Sequence, residues 1–553
     1  MNQEPIEKQI ETIKSLYQHL PEVPWFNHHK VYTQEFYITL KETWQKTKTM
    51  LYAQLAKDAQ CRITEAIRCR EDNFLENKGK MLNSALNKGR KPIDTSTLIY
   101  EGEFLDEPNK IKKAINQSAE KWTRKRRLDT SDISWNSHYT PLSHVDAETF
   151  KNITDPFTKE EVITIIKETP NNKAAGPSKI TYKCWKYAPA KVVEAIVKLF
   201  NKILREERTP NEWKRANIIP IPKTSDWKKN IDKTRPITLM ETLRKIFSKA
   251  MTNRVEKICR TQNILRGNNC SVLKGTSTHS PITVIRNIME DANQFRTTDL
   301  WIVLQDMRKA YDSVGWTPME AALRRIKMNQ GYINILKDLH CNRTSSIITA
   351  HGFTDPYTVQ DGLDQGETHS PILWRIFYDP LLCAIGQLQN TKYKMQPVSG
   401  ETSPAINHLA FVDDTVWISN SREGISQILN KAESFFKRND IEINTDKTVV
   451  IRMERKRPQE MMLSADTDES LSQIPFCGKV LNISKNNIAH RYLGVWISGD
   501  NSPKHTTRKI TTEITAIVNK LNKKPLSKKI INYVTRAVML PIVEYRTKGI
   551  MLL

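Results

Sequence analysis

The apolar positions of this chain change period along its length. Over the first 130 residues they recur at helical spacing. Ile6, Ile10, Ile13, Leu16 and Leu20 fall at i, i+3, i+4 steps and form one stripe. Tyr37, Leu40, Trp44, Leu51 and Leu55 suggest a second helix. Ile111, Ala114, Ile115 and Trp122 suggest a third, running into the basic cluster Arg124-Lys125-Arg126-Arg127. Such stripes face a core and carry no chemistry by themselves. Residues 131–144 are mostly polar, contain Pro141 and read as a connector. Thr158-Lys159-Glu160-Glu161 is a capping box with Phe157 and Val162 as its hydrophobic staple, so a helix starts there and ends before Pro170.

Beyond residue 210 the pattern shortens. Residues 216–221 read as a strand, placed at a sheet edge by Pro220. A polar loop leads to Thr234-Arg235-Pro236-Ile237, then Leu243, Ile246, Phe247, Ala250 and Val255 fall on one helical face. Leu300-Trp301-Ile302-Val303-Leu304 is an unbroken apolar run, a buried strand that delivers Gln305 and Asp306 at its tip. A glycine-containing turn at 362–371 leads into a hydrophobic helical segment that runs at least to Asp379. Two short apolar runs then flank Asp413-Asp414, the only Asp-Asp pair in the sequence. They read as the strands of a hairpin with the acids at its turn.

Composition narrows the partners. With 39% apolar and 26% charged residues, the 553-residue chain is that of a globular protein of several modules. No apolar run approaches the roughly 18 residues that span a bilayer, and residues 1–9 do not read as a secretory signal. Eight dispersed cysteines without CxxC or zinc spacing suit an intracellular protein with reduced thiols. The net charge of +24 favours a polyanionic partner, nucleic acid before a membrane surface, because no single amphipathic basic helix stands out.

The acids acquire meaning together. Asp306 and Asp413-Asp414 all end or turn strands, so one sheet could gather them. Three carboxylates in one place need counter-charge, and two divalent cations supply it; Mg²⁺ prefers such oxygen ligands and keeps water and phosphate as further ones. Two metals suit phosphoryl transfer, in which the protein mainly supplies position and charge. Alone, the pair reads first as an ordinary polar turn. Lys223 and Arg235 flank one finger-like loop and suit a triphosphate, Arg offering a planar fork, or are two solvated cations. The loop 171–179, with Gly176-Pro177 and two lysines, is either a phosphate contact or a plain surface loop.

The order of these elements resembles the reverse transcriptase domain of non-LTR (LINE-like) retrotransposons, from about Pro156 to Gly494 and more weakly to Tyr545. Residues 171–178 resemble its "NKAPGPDG" loop, 235–239 (RPITL) its "YRPISLL" segment, and 305–314 (QDMRKAYDSV) its "D…KAFDxV" motif. Gln365-Gly366 with Ser370-Pro371 matches "QGxxxSPxL", 410–414 (AFVDD) the (F/Y)xDD box, 444–448 (NTDKT) "N…KT", and Tyr492-Leu493-Gly494 "YLG".

The resemblance implies an α+β right-hand polymerase. It would comprise a helical basic N-terminal extension (1–140), fingers and a palm on an antiparallel sheet (150–500), and a partial helical thumb (501–553). It implies RNA-directed DNA polymerase activity on a primer 3′-OH. Asp306, Asp413 and Asp414 would be catalytic metal ligands for two Mg²⁺ (or Mn²⁺) ions, and Lys447 a proton donor to pyrophosphate. Lys223 and Arg235 would hold the triphosphate. Tyr311 would be the steric gate against a 2′-OH, Gln365 and Gly366 would line the nascent base pair, and Tyr492, Leu493 and Gly494 would form the primer grip. Partners would be an RNA template, a DNA primer or nicked target, and dNTPs, without a membrane. The location would be nuclear for a chromosomal target and otherwise a cytoplasmic ribonucleoprotein. Alternatives are a catalytically inactive nucleic-acid-binding relic, or an intron-maturase-like or RNA-dependent RNA polymerase. The chain departs from the pattern at His369, usually apolar, at Ala175, usually proline, and at 265–281, which keeps only Gly275 and Ser277-Thr278 of "GFRxGRST".

Overall fold

The computed structural model describes residues 95–224, 226–295, 298–396, 404–454, 473–523 and 528–549, together with 79, 82, 83 and 86. The expected helical stripes at Ile6–Leu20 and Tyr37–Leu55 lie outside the described residues.

Half of the capping box forms: the Thr158 hydroxyl accepts from the Glu161 N–H at 3.1 Å while the Glu161 carboxylate accepts from Arg254 at 2.8 and 3.0 Å, and the helix Lys159–Glu168 stops before Pro170. Phe157 and Val162 are both buried in the main core. That core continues through Ala190–Glu206 and Thr242–Thr261, where Leu243, Ile246, Phe247, Ala250 and Val255 are all buried, as their spacing predicts.

Two sheets position the chemistry. In the first, Arg215–Pro222 (β3) lies between Thr234–Leu239 (β4) and Arg343–Thr349 (β6), with Gly352–Phe353 (β7) and Tyr357–Val359 (β8) both on β6. The small hairpin Leu98–Tyr100 (β1) and Glu103–Leu105 (β2) and the helix Pro108–Trp122 pack against it through Leu98, Ile111 and Ile115. The edge position expected for β3 is corrected: the strand is interior. Its parallel pairing with β6 covers only Arg215 to Ile218, so Pro220, paired with Pro236 of β4, lies beyond that ladder. Proline is tolerated because no partner on that side needs its missing N–H.

The second sheet is antiparallel, in the order His408–Phe411 (β11), Asp414–Ser419 (β12), Leu300–Gln305 (β5), Val449–Met453 (β13). Every residue of β5 is buried. Successive strand side chains point to opposite faces, and here both faces are covered. Trp301 and Val303 join the main core with Trp417 and Val450. Leu300, Ile302 and Leu304 join a second core with Ile285 and Met289 of the helix His279–Phe295. The absence of alternation in the sequence follows from this double burial.

The glycine-containing turn leads into the helix Ser370–Gly386, which continues through Pro380. Tyr393–Lys394 (β9) and Ala405–Ile406 (β10), Gln473–Phe476 (β14) and Lys479–Asn482 (β15), and His490–Tyr492 (β16) and Val495–Ile497 (β17) form three further hairpins. The helices Lys504–Leu521, Lys528–Val534 and Leu540–Thr547 follow, the last two joined by a π-helical turn.

Two readings change. The 131–144 connector contains a 3₁₀ helix whose Trp135 is fully buried against Phe435, with its indole N–H bonded to Ser434 at 2.7 Å. In the basic run at 124–127 two cations meet acids and a third meets carbonyls. Arg124 pairs with Asp440, Lys125 lies 3.7 Å from Asp361, and buried Arg126 donates to the carbonyls of Trp122 and Asp312.

Candidate active site

The sheet register brings the three aspartates together. Gln305 of β5 pairs with Thr415 of β12, so Asp306 and Asp414 are the next residues along neighbouring strands. Phe411 pairs with Asp414, which makes Val412-Asp413 the two-residue turn. The turn therefore falls one residue earlier than the sequence suggests, and Asp414 begins β12.

Val412 has φ +60°, a left-handed conformation that a β-branched residue seldom adopts. Its carbonyl is clamped by the Trp374 indole N–H at 2.9 Å and the Asn269 amide at 3.2 Å, and the Asn269 side-chain oxygen accepts from the Val412 N–H at 3.3 Å. Segment 268–270 runs parallel beside β11, Cys270 donating to the Ala410 carbonyl at 2.7 Å.

Asp414 lines an open cleft and is itself exposed to solvent, but desolvation by the surrounding walls, then the charges of Asp413 and Asp306, pushes its carboxyl up to about 6, with Arg491 opposing. Burial and Asp306 also raise Asp413, against the pull of Arg235. Like charges crowded at a strand end without full compensation are the donor chemistry that a hard divalent cation satisfies. Among the described residues no group of three or more His, Cys, Asp or Glu side chains is arranged so that it could hold a metal ion as it stands. Asp306 is instead held by Asn444, whose amide donates to Oδ2 at 2.8 Å, with Lys447 Nζ 3.9 Å from the same oxygen.

The cations converge on this point. Lys223 and Arg235 sit at the loop end of the β3–β4 hairpin, Arg235 paired with Ile221. Burial lowers the Lys223 pKa, and Lys309, Lys447 and Arg235 lower it further while Asp306 opposes. Lys223, Arg235 and Lys447 thus share one electrostatic environment with the carboxylates.

The Tyr311 ring lies 5.9 Å from Trp374, and burial and then the Asp413 charge raise its hydroxyl pKa. Gln365 accepts from the Thr238 N–H at 2.8 Å, docking the 362–371 turn on β4. Gly366 has φ +114°, and a Cβ there would lie 3.1 Å from the Thr238 carbonyl oxygen, so a side chain would be strained and crowded.

Beneath this turn lies a network absent from the sequence reading. Arg244 pairs with Glu367 at 2.6 Å and with Asp364 at 3.3 Å, and Arg343 pairs with Asp364 at 2.6 Å. The group is buried and its formal charges balance. His369 stands against it, its ring 3.3 Å from His340, and burial brings the His369 pKa down to about 4. The only available signal was two acids beside Gln365-Gly366 in an apolar setting.

Tyr492-Leu493-Gly494 turns the β16–β17 hairpin, with Leu493 at φ +43° and Gly494 at φ +88°. Positive φ at both central positions matches the twist of a tight hairpin. The Tyr545 hydroxyl lies 2.7 Å from the Leu493 carbonyl oxygen and 2.9 Å from Thr278 Oγ1, while Arg546 donates to the Gly494 carbonyl and pairs with Glu513. Asp413, Asp414, Arg491, Leu493, Tyr545 and Arg546 line one open cleft. Tyr545 and Arg546 were not singled out from sequence.

A family model described as reverse transcriptase (RNA-dependent DNA polymerase) matches residues 221–497, half of the chain, and spans all three aspartates. The chain belongs to this family. It is 22% identical over 295 residues to a Drosophila melanogaster protein named "Probable RNA-directed DNA polymerase from transposon BS", covering 53% of this chain and 32% of that protein. It is 26% identical over 245 residues to a Popillia japonica Pol polyprotein from the type-1 retrotransposable element R2, covering 44% of this chain and 32% of that one. It is 20% identical over 406 residues to the Drosophila melanogaster RNA-directed DNA polymerase from mobile element jockey, covering 69% and 41%. The matches thus span about a third to two fifths of these relatives. Among the described residues no helix is long and apolar enough to cross a membrane.

Proposed function

We propose that this chain is the RNA-directed DNA polymerase of a non-LTR retrotransposon. The observation that carries the reading is the meeting of Asp306 with Asp413 and Asp414 at the ends of adjoining strands, in a chain of the reverse transcriptase family. In this reading the β4-β3-β6 sheet and its helices are fingers, the β11-β12-β5-β13 sheet is the palm, and the helices from Lys504 onward are thumb. Residues 1–140 form an N-terminal extension, 150–500 fingers and palm, and 501–553 the thumb.

Asp306, Asp413 and Asp414 would hold two divalent cations, Mg²⁺ or Mn²⁺, which when bound activate a primer hydroxyl and neutralise the leaving pyrophosphate. The chain's own side chains bind and orient. Arg235 and Lys223 grip the triphosphate, with Lys447 placed to give a proton to the departing pyrophosphate. Tyr311 closes the sugar site against a 2′-OH, and its ring is braced by Trp374. Gln365 and Gly366 line the nascent base pair on a turn stiffened by the buried Arg244 network. Leu493 and Gly494, fixed by Tyr545 and Arg546, hold the primer end across the cleft from Asp413. RNA template, DNA primer or nicked target and dNTPs are the partners.

The test is extension of a DNA primer on an RNA template with dNTPs and Mg²⁺. Extended product supports the reading. A folded, RNA-binding protein that extends nothing contradicts it.

A further inference from the structure

We propose that Asn444 is a positioning residue that holds Asp306 ready to ligate a divalent cation. The inference rests on the reading of Asp306 as a metal ligand. Asn444 meets Asp306 twice: its backbone N–H donates to the Asp306 carbonyl at 2.9 Å, and its side-chain amide donates to Oδ2 at 2.8 Å. The backbone contact continues a track along which Met307 bridges Ile443 and the Arg308 N–H donates to the Glu442 carbonyl at 3.0 Å. The Asn444 carbonyl also accepts from the Lys447 N–H, the Thr448 N–H and Thr448 Oγ1, each at 3.0 Å. Asn444 is thus the hub that joins the turn bearing Lys447 to the strand end bearing Asp306.

The chemistry suits a supporting role. The Asp306 side chain is 41% exposed, so packing alone does not fix its rotamer. An amide donor on Oδ2 fixes which oxygen is engaged and leaves Oδ1 for a further ligand. Being neutral, Asn444 orients the carboxylate without competing with a cation for its charge. Lys447 reaches the same Oδ2 at 3.9 Å but is a weak, exposed contact, so the amide is the main tether. Hydrogen bonds of this kind to ligating carboxylates typically govern metal affinity by about 10- to 100-fold.

The test is Mn²⁺ binding to the full chain, followed by electron paramagnetic resonance without nucleic acid, for wild type, Asn444→Ala, Asn444→Ser and Asp306→Ala. Serine keeps a polar group but is too short to reach Oδ2. Both Asn444 variants should need about tenfold more Mn²⁺ for half-saturation, with unchanged circular dichroism. In primer extension their loss should be recovered at high Mg²⁺ with KM for dNTP unchanged, which a merely structural defect would not allow. Wild-type or tighter Mn²⁺ binding by both folded Asn444 variants, with binding impaired in Asp306→Ala, overturns the inference alone. Wild-type binding by Asp306→Ala overturns the metal reading of Asp306, and the inference with it.

Discussion

The indole N–H of Trp374 donates to the carbonyl of Val412, the residue that turns the chain into Asp413 with φ +60°. A left-handed valine costs of order 1–3 kcal/mol and persists only where its surroundings hold it. Trp374→Phe keeps an aromatic ring beside Tyr311 and Tyr378 but removes the donor. Loss of one hydrogen bond of about 1 kcal/mol, acting on the geometry of Asp413, should lower kcat for primer extension by roughly fivefold to tenfold. Unchanged kcat would show that the clamp does not matter.

Arg244→Ala should be among the most destabilising single changes. It leaves Glu367 and Asp364 facing one buried cation where there were two. Breaking a buried pair in this way costs about 3–5 kcal/mol, which thermal unfolding would register as a clear fall in Tm. The double variant Arg244→Met with Glu367→Gln should lose less than the sum of the singles, because no orphaned charge from that pair remains. Strict additivity would contradict the network.

The crowding of carboxylates predicts a pH signature in metal-free protein. The folded-state pKa of Asp414 is raised to about 6, above the ordinary value of about 3.9. Its relative stabilising contribution is therefore full below about pH 4 and lost as pH rises through about 6. Asp414→Asn removes the charged form, so it should melt above wild type at pH 8, with the difference closing towards pH 4. Added Mg²⁺ should stabilise wild type more than the variant. An Asp414→Asn protein that melts no higher than wild type at pH 8 would contradict the electrostatic account.

Tyr311 stands against Trp374 and senses the Asp413 charge. Tyr311→Ala opens space at the proposed sugar site and should raise ribonucleotide incorporation relative to deoxynucleotide by at least about tenfold, a difference of roughly 1.4 kcal/mol in barrier. No change in that ratio would remove Tyr311 from the gate.

The sequence showed what is short in range or strongly patterned. The Thr158 cap, the helical face of Thr242–Thr261, the buried run of β5 and the acid pair at a hairpin could all be read from neighbouring residues. What depended on distant partners could not. Pro220 suggested an edge because the partial ladder with β6 depends on residues 343–349, more than 100 positions away. The run at 124–127 gave no sign of its acid partners, because Asp361 and Asp440 are remote in sequence. The Arg244 network, the Asn269 and Trp374 clamp, and the docking of Tyr545 and Arg546 on Leu493-Gly494 each join segments with no local signal. The proposed site residues were named from motif spacing, whereas Asn269, Trp374, Arg244, Tyr545 and Arg546, which brace them, emerged only from the fold.

Asp306, Asp413 and Asp414 are proposed to form the polymerising centre. The most direct measurement compares wild type with Asp413→Ala on an RNA template annealed to a DNA primer, with dNTPs and Mg²⁺, while template binding is followed in parallel. Wild type should extend the primer, Asp413→Ala should lose extension by at least about a thousandfold, roughly 4 kcal/mol of barrier, and both should bind RNA with equal affinity. Extension by Asp413→Ala at a rate near that of wild type would contradict that proposal.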